Sequence, residues 1–458
     1  MRGSSLVWQV LLVGVCMLGL SAASAQEAAE AAQWKQLELE GETYYLMPND
    51  VARSLGLPRE DIPDEQNAAT YYIQAMNALP ERDRDDEELW NQYRAALDGP
   101  WGPEQERLYE WFGKTADARR LFKHATGMER CQFPLLTGQS GDTFIFSLLM
   151  PPLRGLRQLS RLMAIEGHLL ENQGQVREAL EDYLAAFQVG VHLGNGPFLI
   201  SGLVCLAAQR ISTEAMENGL ARQEVGADVL EWLAGELDGL GDSLPDRAAW
   251  IVGERAAVIQ LVSMSPQALL ALEGQSHDVS AAREAFLSSR AFRVLWPDRT
   301  MKRDFERFYD ALEQLARKPT WEVAAELRQT SGDELLGQYF KDWNILGWML
   351  APAFGAALER YTKDICDFDA LRVNVALRRF RTDRGAYPER LDELVPDYLK
   401  ELPPDPFTGQ PFRYRREDDG WTLYSLGSDQ EDDGGESSDY FGKEGDIVYR
   451  SHLAEEEE

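Results

Sequence analysis

The chain has 458 residues and a strongly acidic composition, with 77 Asp and Glu residues against 46 Lys and Arg residues and a formal net charge of −31. Hydrophobic residues make up 44% and charged residues 27%, a globular balance that excludes wholesale disorder and a polytopic membrane protein. The excess negative charge opposes binding to nucleic acid and to anionic lipid, because both require a basic protein surface.

Residues 1–25 have the features of a secretory signal peptide. Arg2 precedes an apolar segment at residues 6–20, and Ala23, Ser24 and Ala25 supply the small residues of a cleavage site. The alternative, an uncleaved membrane anchor, is disfavoured because this apolar segment is shorter than the roughly 20 residues that a bilayer span needs. We therefore expect an exported protein, periplasmic or extracellular, with no membrane span after cleavage.

Residues 26–63 are predicted to form an N-terminal arm. Alternating apolar and polar residues favour one or two short strands, and Pro58 and Pro63 mark the end of the arm. The pattern indicates no function for this segment.

Residues 64–360 are predicted to be almost wholly helical, which gives a mainly α fold class. Apolar residues recur at helical spacing from Ala68 to Leu79, and Pro80 ends that helix. Pro151 and Pro197 open two longer helices, since proline is tolerated in the first turn of a helix. These patterns leave two architectures open, an array of helical hairpins and a plain α-bundle.

One helical hairpin, at residues 161–193, has a specific spacing of small and aromatic residues. These residues are Gly167, Gly174, Ala179, Tyr183 and Ala186. Their spacing resembles one tetratricopeptide repeat, which implies a close helix pair, a turn at the second glycine and an aromatic wedge. Two early positions of that family's pattern are occupied by other residue types, and no second copy lies in register, although a solenoid needs about three repeats.

Residues 361–453 have the pattern of a small α+β domain. A helical stripe leads to a C-terminal cap at Gly385, and a hairpin follows around the tight turn at Gly420. A last strand is predicted at residues 447–450, and residues 454–458 form an acidic tail.

The same domain resembles the globular part of the major pseudopilin of type II secretion systems. Four strings carry the resemblance: Asp383-Arg384-Gly385-Ala386-Tyr387-Pro388, Asp405-Pro406-Phe407, Tyr424-Ser425-Leu426-Gly427-Ser428-Asp429 and Gly445-Asp446-Ile447. It implies a long helix packed on a small antiparallel sheet, with a loop that binds one calcium ion. The apolar polymerising helix of that family is absent here, so pilus assembly is not implied. The whole chain resembles secreted bacterial proteins.

The loop at residues 429–446 is the predicted metal site. By position, the resemblance implies six candidate calcium ligands: Asp429, Asp446, the Leu426 carbonyl, Asp432, Asp433 and Asp439. Independently, the loop contains eight carboxylates against Lys443 alone, and calcium takes about 6–8 oxygen ligands in irregular geometry. The alternative is a solvated acidic loop without a metal.

Two functional hypotheses remain. The first is a secreted or periplasmic, non-enzymatic interaction or scaffold protein, with a protein partner and a calcium-binding pseudopilin-like domain. The second is a helical-fold hydrolase of the glycosidase type, with Glu236 and Glu254 as its candidate carboxylate pair. The five histidines show no metal-ligand spacing, and no catalytic motif distinguishes the hypotheses.

Overall fold

A computed structural model of the chain describes residues 34–80, 85–145, 148, 150–263, 299–329, 339, 352–437 and 445–452. The predicted signal peptide and acidic tail lie outside these residues. The described part is mainly helical with two small three-stranded antiparallel sheets, which confirms the predicted fold class.

The described residues contain thirteen α-helices. In chain order they are α1 (Asn49–Ser54), α2 (Ala68–Asn77), α3 (Glu87–Asp98), α4 (Glu106–Gly113), α5 (Ala116–Thr126), α6 (Pro151–Asn172), α7 (Val176–Gly194), α8 (Leu199–Arg222), α9 (Ala227–Asp242), α10 (Ala249–Ser263), α11 (Arg299–Ala316), α12 (Thr320–Gln329) and α13 (Pro352–Arg384). Local sequence sets several of their ends. The Asp86 side chain, for example, accepts the Leu89 N–H at the start of α3.

The N-terminal sheet joins the predicted arm to the helical region. Its strands are β1 (Gln36–Leu39), β2 (Glu42–Leu46) and β3 (Leu136–Thr137), paired in that order. The third strand, which the sequence did not predict, pairs Leu46 with Leu136. Trp34 and Met47 pack in one core with Phe198 and Ala257, so the arm is integrated into the helical body.

Helices α6 and α7 form a close hairpin. Gly174 in the connection has φ +75°, a conformation that favours glycine. A Cβ atom on Gly167 would lie 2.2 Å from Cε1 of Tyr183, so only glycine allows this approach of the two helices. The spacing therefore predicted this contact correctly, and Ala179 is also buried, at 1% exposure.

Helix α13 crosses the predicted domain boundary between residues 360 and 361. Its residues Phe368, Leu371 and Val375 pack in one core with side chains of α7, α8 and α9. Its residues Val373 and Leu377 pack in a second core with the C-terminal domain. The two regions thus share one continuous helix.

The C-terminal sheet packs against α13. Its strands are β4 (Arg413–Arg416), β5 (Trp421–Ser425) and β6 (Ile447–Arg450), with β5 in the centre. Every residue of β5 is buried, as expected of a central strand covered by a helix. The sheet positions the loop between β5 and β6, which contains the candidate metal site.

Candidate metal site

The loop that follows β5 is folded back onto the start of β6. The Asp446 N–H donates to the Glu436 carbonyl at 2.9 Å, and Ser437 forms an isolated bridge with Asp446. Gly434 and Gly435 have φ of +72° and +84°, which lets the chain turn sharply before the bridge. These contacts hold the middle of the loop against the start of β6.

Asp446 is fully buried, with 0% exposure. Its Oδ2 accepts the Gly435 N–H at 2.7 Å, whereas its buried Oδ1 has no hydrogen-bond donor within the described residues. Burial raises the pKa of Asp446; the backbone N–H groups of Gly435 and Asp433 oppose this, and the nearby Asp432 and Asp433 carboxylates raise it further. A buried carboxylate oxygen without a partner is unfavourable, and a proton or a cation would satisfy it.

Asp429 lies at the opposite end of the loop, beside the same backbone turn. Its Oδ2 accepts the Gly445 N–H at 3.4 Å and its Oδ1 accepts the Glu431 N–H at 3.0 Å. Its carbonyl accepts a hydrogen bond from the Arg328 guanidinium of α12. Because Gly445 adjoins Asp446, the structure brings together the two acidic residues that flank the loop.

The other predicted ligands are arranged differently. Asp432 pairs with the Arg413 guanidinium at 3.3 Å and accepts the Tyr424 hydroxyl at 3.2 Å, so its carboxylate is already engaged. Asp433 is exposed. Asp439 lies outside the described residues. Leu426 is half-buried at the end of β5, at the start of the loop.

Sequence reasoning missed the buried residue that organises this end of the sheet, Asp405. Its Oδ1 accepts the Phe407 N–H and the Ser425 hydroxyl at 2.9 and 2.8 Å, and its Oδ2 accepts the Leu426 N–H at 3.3 Å. Burial raises the pKa of Asp405, and these hydrogen bonds oppose the shift. Asp405 therefore fixes the Leu426 backbone. The Asp-Pro-Phe-Thr-Gly turn was a usable signal for such a role.

The arrangement fits calcium in part. Asp446 offers a buried free oxygen, and the Asp429 carboxylate accepts the N–H of the adjacent Gly445, while backbone carbonyls and water supply ligands in irregular calcium sites. Within the described part of the chain, no three His, Cys, Asp or Glu side chains converge as a metal-binding group. The calcium ligands that the resemblance implied therefore stay predictions.

The two candidate hydrolase carboxylates, Glu236 and Glu254, lie in different environments. Glu236 is exposed on α9. Glu254 accepts the Leu199 N–H at 3.2 Å, at the start of α8, and burial raises its pKa to about 7. Its neighbour Arg255 pairs with Asp310 at 2.7 Å. Glu254 thus acts as a cap for a helix terminus.

Comparisons with protein-family models, with curated proteins and with solved structures found no match in any of the three. The pseudopilin and tetratricopeptide resemblances therefore stay predictions. Among the helices described, none is both long enough and apolar enough to cross a bilayer.

Proposed function

We propose that the chain is an exported, non-enzymatic interaction protein whose C-terminal domain is pseudopilin-like and binds one calcium ion. The observation that carries the metal site is Asp446, a fully buried carboxylate with an unpartnered oxygen. Export is supported by the leader pattern of residues 1–25. The chain's negative charge favours a partner other than nucleic acid.

Asp429 and Asp446 would hold the ion, with the Leu426 carbonyl as a backbone ligand. Bound calcium supplies positive charge that offsets the buried Asp446 carboxylate and the acidic loop around it. Asp432 stays with Arg413, and this ion pair orients the middle of the loop. In this proposal, calcium binding stabilises the attachment of the loop to β6.

Calcium is expected to raise the stability of the chain, and Asp446→Asn is expected to abolish the effect. Extracellular calcium modules bind at about 10⁻⁴–10⁻³ M, so 1 mM calcium would add roughly 0.4–1.4 kcal/mol by mass action. Asparagine retains the shape of aspartate and removes its charge. The measurement is a thermal melt of the full chain in chelator and in 1 mM calcium.

The matched control is Asp419→Asn, which removes an exposed carboxylate from the turn between β4 and β5. This variant should keep the full calcium response. In chelator, Asp446→Asn should melt no lower than wild type, because a buried unpartnered charge has been removed. Wild-type melts that coincide in chelator and calcium would overturn the proposed site.

A further inference from the structure

Gln430, in the connection between β5 and β6, has a left-handed backbone conformation with φ +60°. This conformation is disfavoured for residues other than glycine, because the Cβ atom then crowds a backbone carbonyl. Among the described non-glycine residues it occurs elsewhere only at Glu40, where the two-residue turn between β1 and β2 requires it. The connection that contains Gln430 is much longer than such a turn, so contacts from its surroundings must hold this residue in place.

The Gln430 side chain is tied to the neighbouring turn that Asp405 organises. Its Nε2 donates to the Phe407 carbonyl at 2.6 Å. Phe407 is 1% exposed in the core of the C-terminal domain, and its own N–H donates to Asp405 at 2.9 Å. Both backbone polar groups of Phe407 are therefore engaged, and its carbonyl is a fixed anchor for the loop.

Helix α12 braces the same turn and the residue before Gln430. A Cβ atom on Gly409, at the end of the turn, would lie 2.8 Å from Cγ of Trp321, so α12 packs directly against the turn. The Arg328 guanidinium of α12 donates to the Asp429 carbonyl. The peptide group between Asp429 and Gln430 is therefore held at its carbonyl by Arg328 and on its other side by the Gln430 side chain.

The backbone conformation of Gln430 sets the direction of the Asp429 carboxylate. Asp429 Oδ1 accepts the Glu431 N–H at 3.0 Å, a local hydrogen bond that closes across Gln430. Rotation of Gln430 to an ordinary negative φ would turn the Glu431 N–H away and release Asp429 Oδ1. Because glutamine carries no charge, Gln430 acts on this carboxylate through geometry.

We propose that Gln430 is a positioning residue of the calcium site. Its side chain, tied to Phe407, holds Asp429 in the orientation in which the carboxylate binds the ion. A loop that is held ready before the ion arrives loses less conformational entropy on binding, and it therefore binds the ion more tightly. This inference rests on the calcium site proposed above and assigns a role to a residue that is not one of its ligands.

Gln430→Leu is the test variant, because leucine has no amide donor. Neither glutamine nor leucine is branched at Cβ, so the two residues meet a similar backbone penalty at positive φ. The matched control is Gln410→Leu, the same chemical change in the neighbouring turn. The Gln410 side chain is exposed and has no hydrogen-bond partner within the described part of the chain. Neither substitution changes the charge of the loop.

The first measurement is the calcium dissociation constant of the full chain, by equilibrium dialysis at a temperature at which every variant is folded. Gln430→Leu should raise this constant roughly three- to tenfold, the effect of losing one neutral hydrogen bond. Gln410→Leu should bind calcium as wild type does.

The second measurement counts the water molecules on the bound ion. Terbium is close to calcium in size and binds oxygen ligands, and its luminescence lifetimes in water and in heavy water give the number of bound waters. That number should rise in Gln430→Leu, because water replaces a carboxylate oxygen of Asp429. It should stay at the wild-type value in Gln410→Leu.

Equal calcium affinity of wild type and Gln430→Leu would overturn this inference and leave the calcium site standing. A lower affinity with an unchanged number of bound waters would also overturn it, because the coordination by Asp429 would then be intact. Absence of calcium binding by wild type would overturn the calcium site and, with it, the role of Gln430.

Discussion

Phe368→Ala is expected to destabilise the chain by about 3–5 kcal/mol, the range for deleting a buried aromatic side chain. Phe368 is 2% exposed, and its ring centroid lies 5.1 Å from that of Phe187 on α7. It belongs to the part of α13 that completes the core of α7, α8 and α9. In urea unfolding monitored by far-UV circular dichroism, the main helical transition of Phe368→Ala should have its midpoint at a lower urea concentration than that of wild type.

Tyr109→Ala is the control, because it removes an aromatic ring that is 45% exposed. Its expected effect is within about 0.5 kcal/mol. If Phe368→Ala leaves the main transition unchanged and moves only a minor one, the helical region before residue 361 folds independently of the rest of α13. A shift of the whole transition would show that α13 joins the two regions into one folding unit.

Glu171→Ala is expected to destabilise the helical region by about 3–5 kcal/mol, the range for removing one partner of a buried ion pair. The Glu171 side chain on α6 is 2% exposed. It accepts the Tyr183 hydroxyl of α7 at 2.7 Å and two guanidinium N–H groups of Arg222 on α8 at 3.1 and 2.8 Å. Alanine would leave both donors without an acceptor.

Glu181→Ala is the matched control for this prediction. Glu181 forms a surface pair with Arg177, and their side chains are 51% and 45% exposed, so its loss should change stability by less than about 1 kcal/mol. Glu171→Gln retains an acceptor oxygen. Its loss of stability should therefore lie between those of Glu171→Ala and Glu181→Ala. Equal unfolding midpoints for Glu171→Ala and Glu181→Ala would show that this network does not stabilise the three helices.

Local patterns predicted the parts of the fold that depend on neighbouring residues. The strands of the N-terminal arm, the helical character of the described parts of residues 64–360 and the contact of Gly167 with Tyr183 all follow from periodicity and side-chain size. The sequence did not predict β3, because a strand of two residues has no periodic pattern. Pro352 begins α13, where its missing N–H has no consequence.

The candidate site depends more on distant pairings, which sequence patterns do not contain. Asp432 was a predicted ligand, but the β4–β5 register places Arg413 beside it, 19 positions away in the chain. Asp405 is buried because its carboxylate accepts a hydrogen bond from the Ser425 hydroxyl at the end of β5, 20 positions away in the chain. By contrast, the sequence correctly placed Asp429 and Asp446 at the two ends of one loop, since both flank it directly.

Calcium bound per chain, measured by equilibrium dialysis at 1 mM free calcium, tests the proposed metal site most directly. We expect between about half and one ion per wild-type chain, given dissociation constants of about 10⁻⁴–10⁻³ M for extracellular sites. Asp429→Asn and Asp446→Asn should bind at background level. Asp419→Asn and Asp432→Asn should bind as wild type does, because Asp419 lies outside the loop and Asp432 is held by Arg413. Wild-type binding at background level, or binding that Asp446→Asn leaves unchanged, would contradict the proposal.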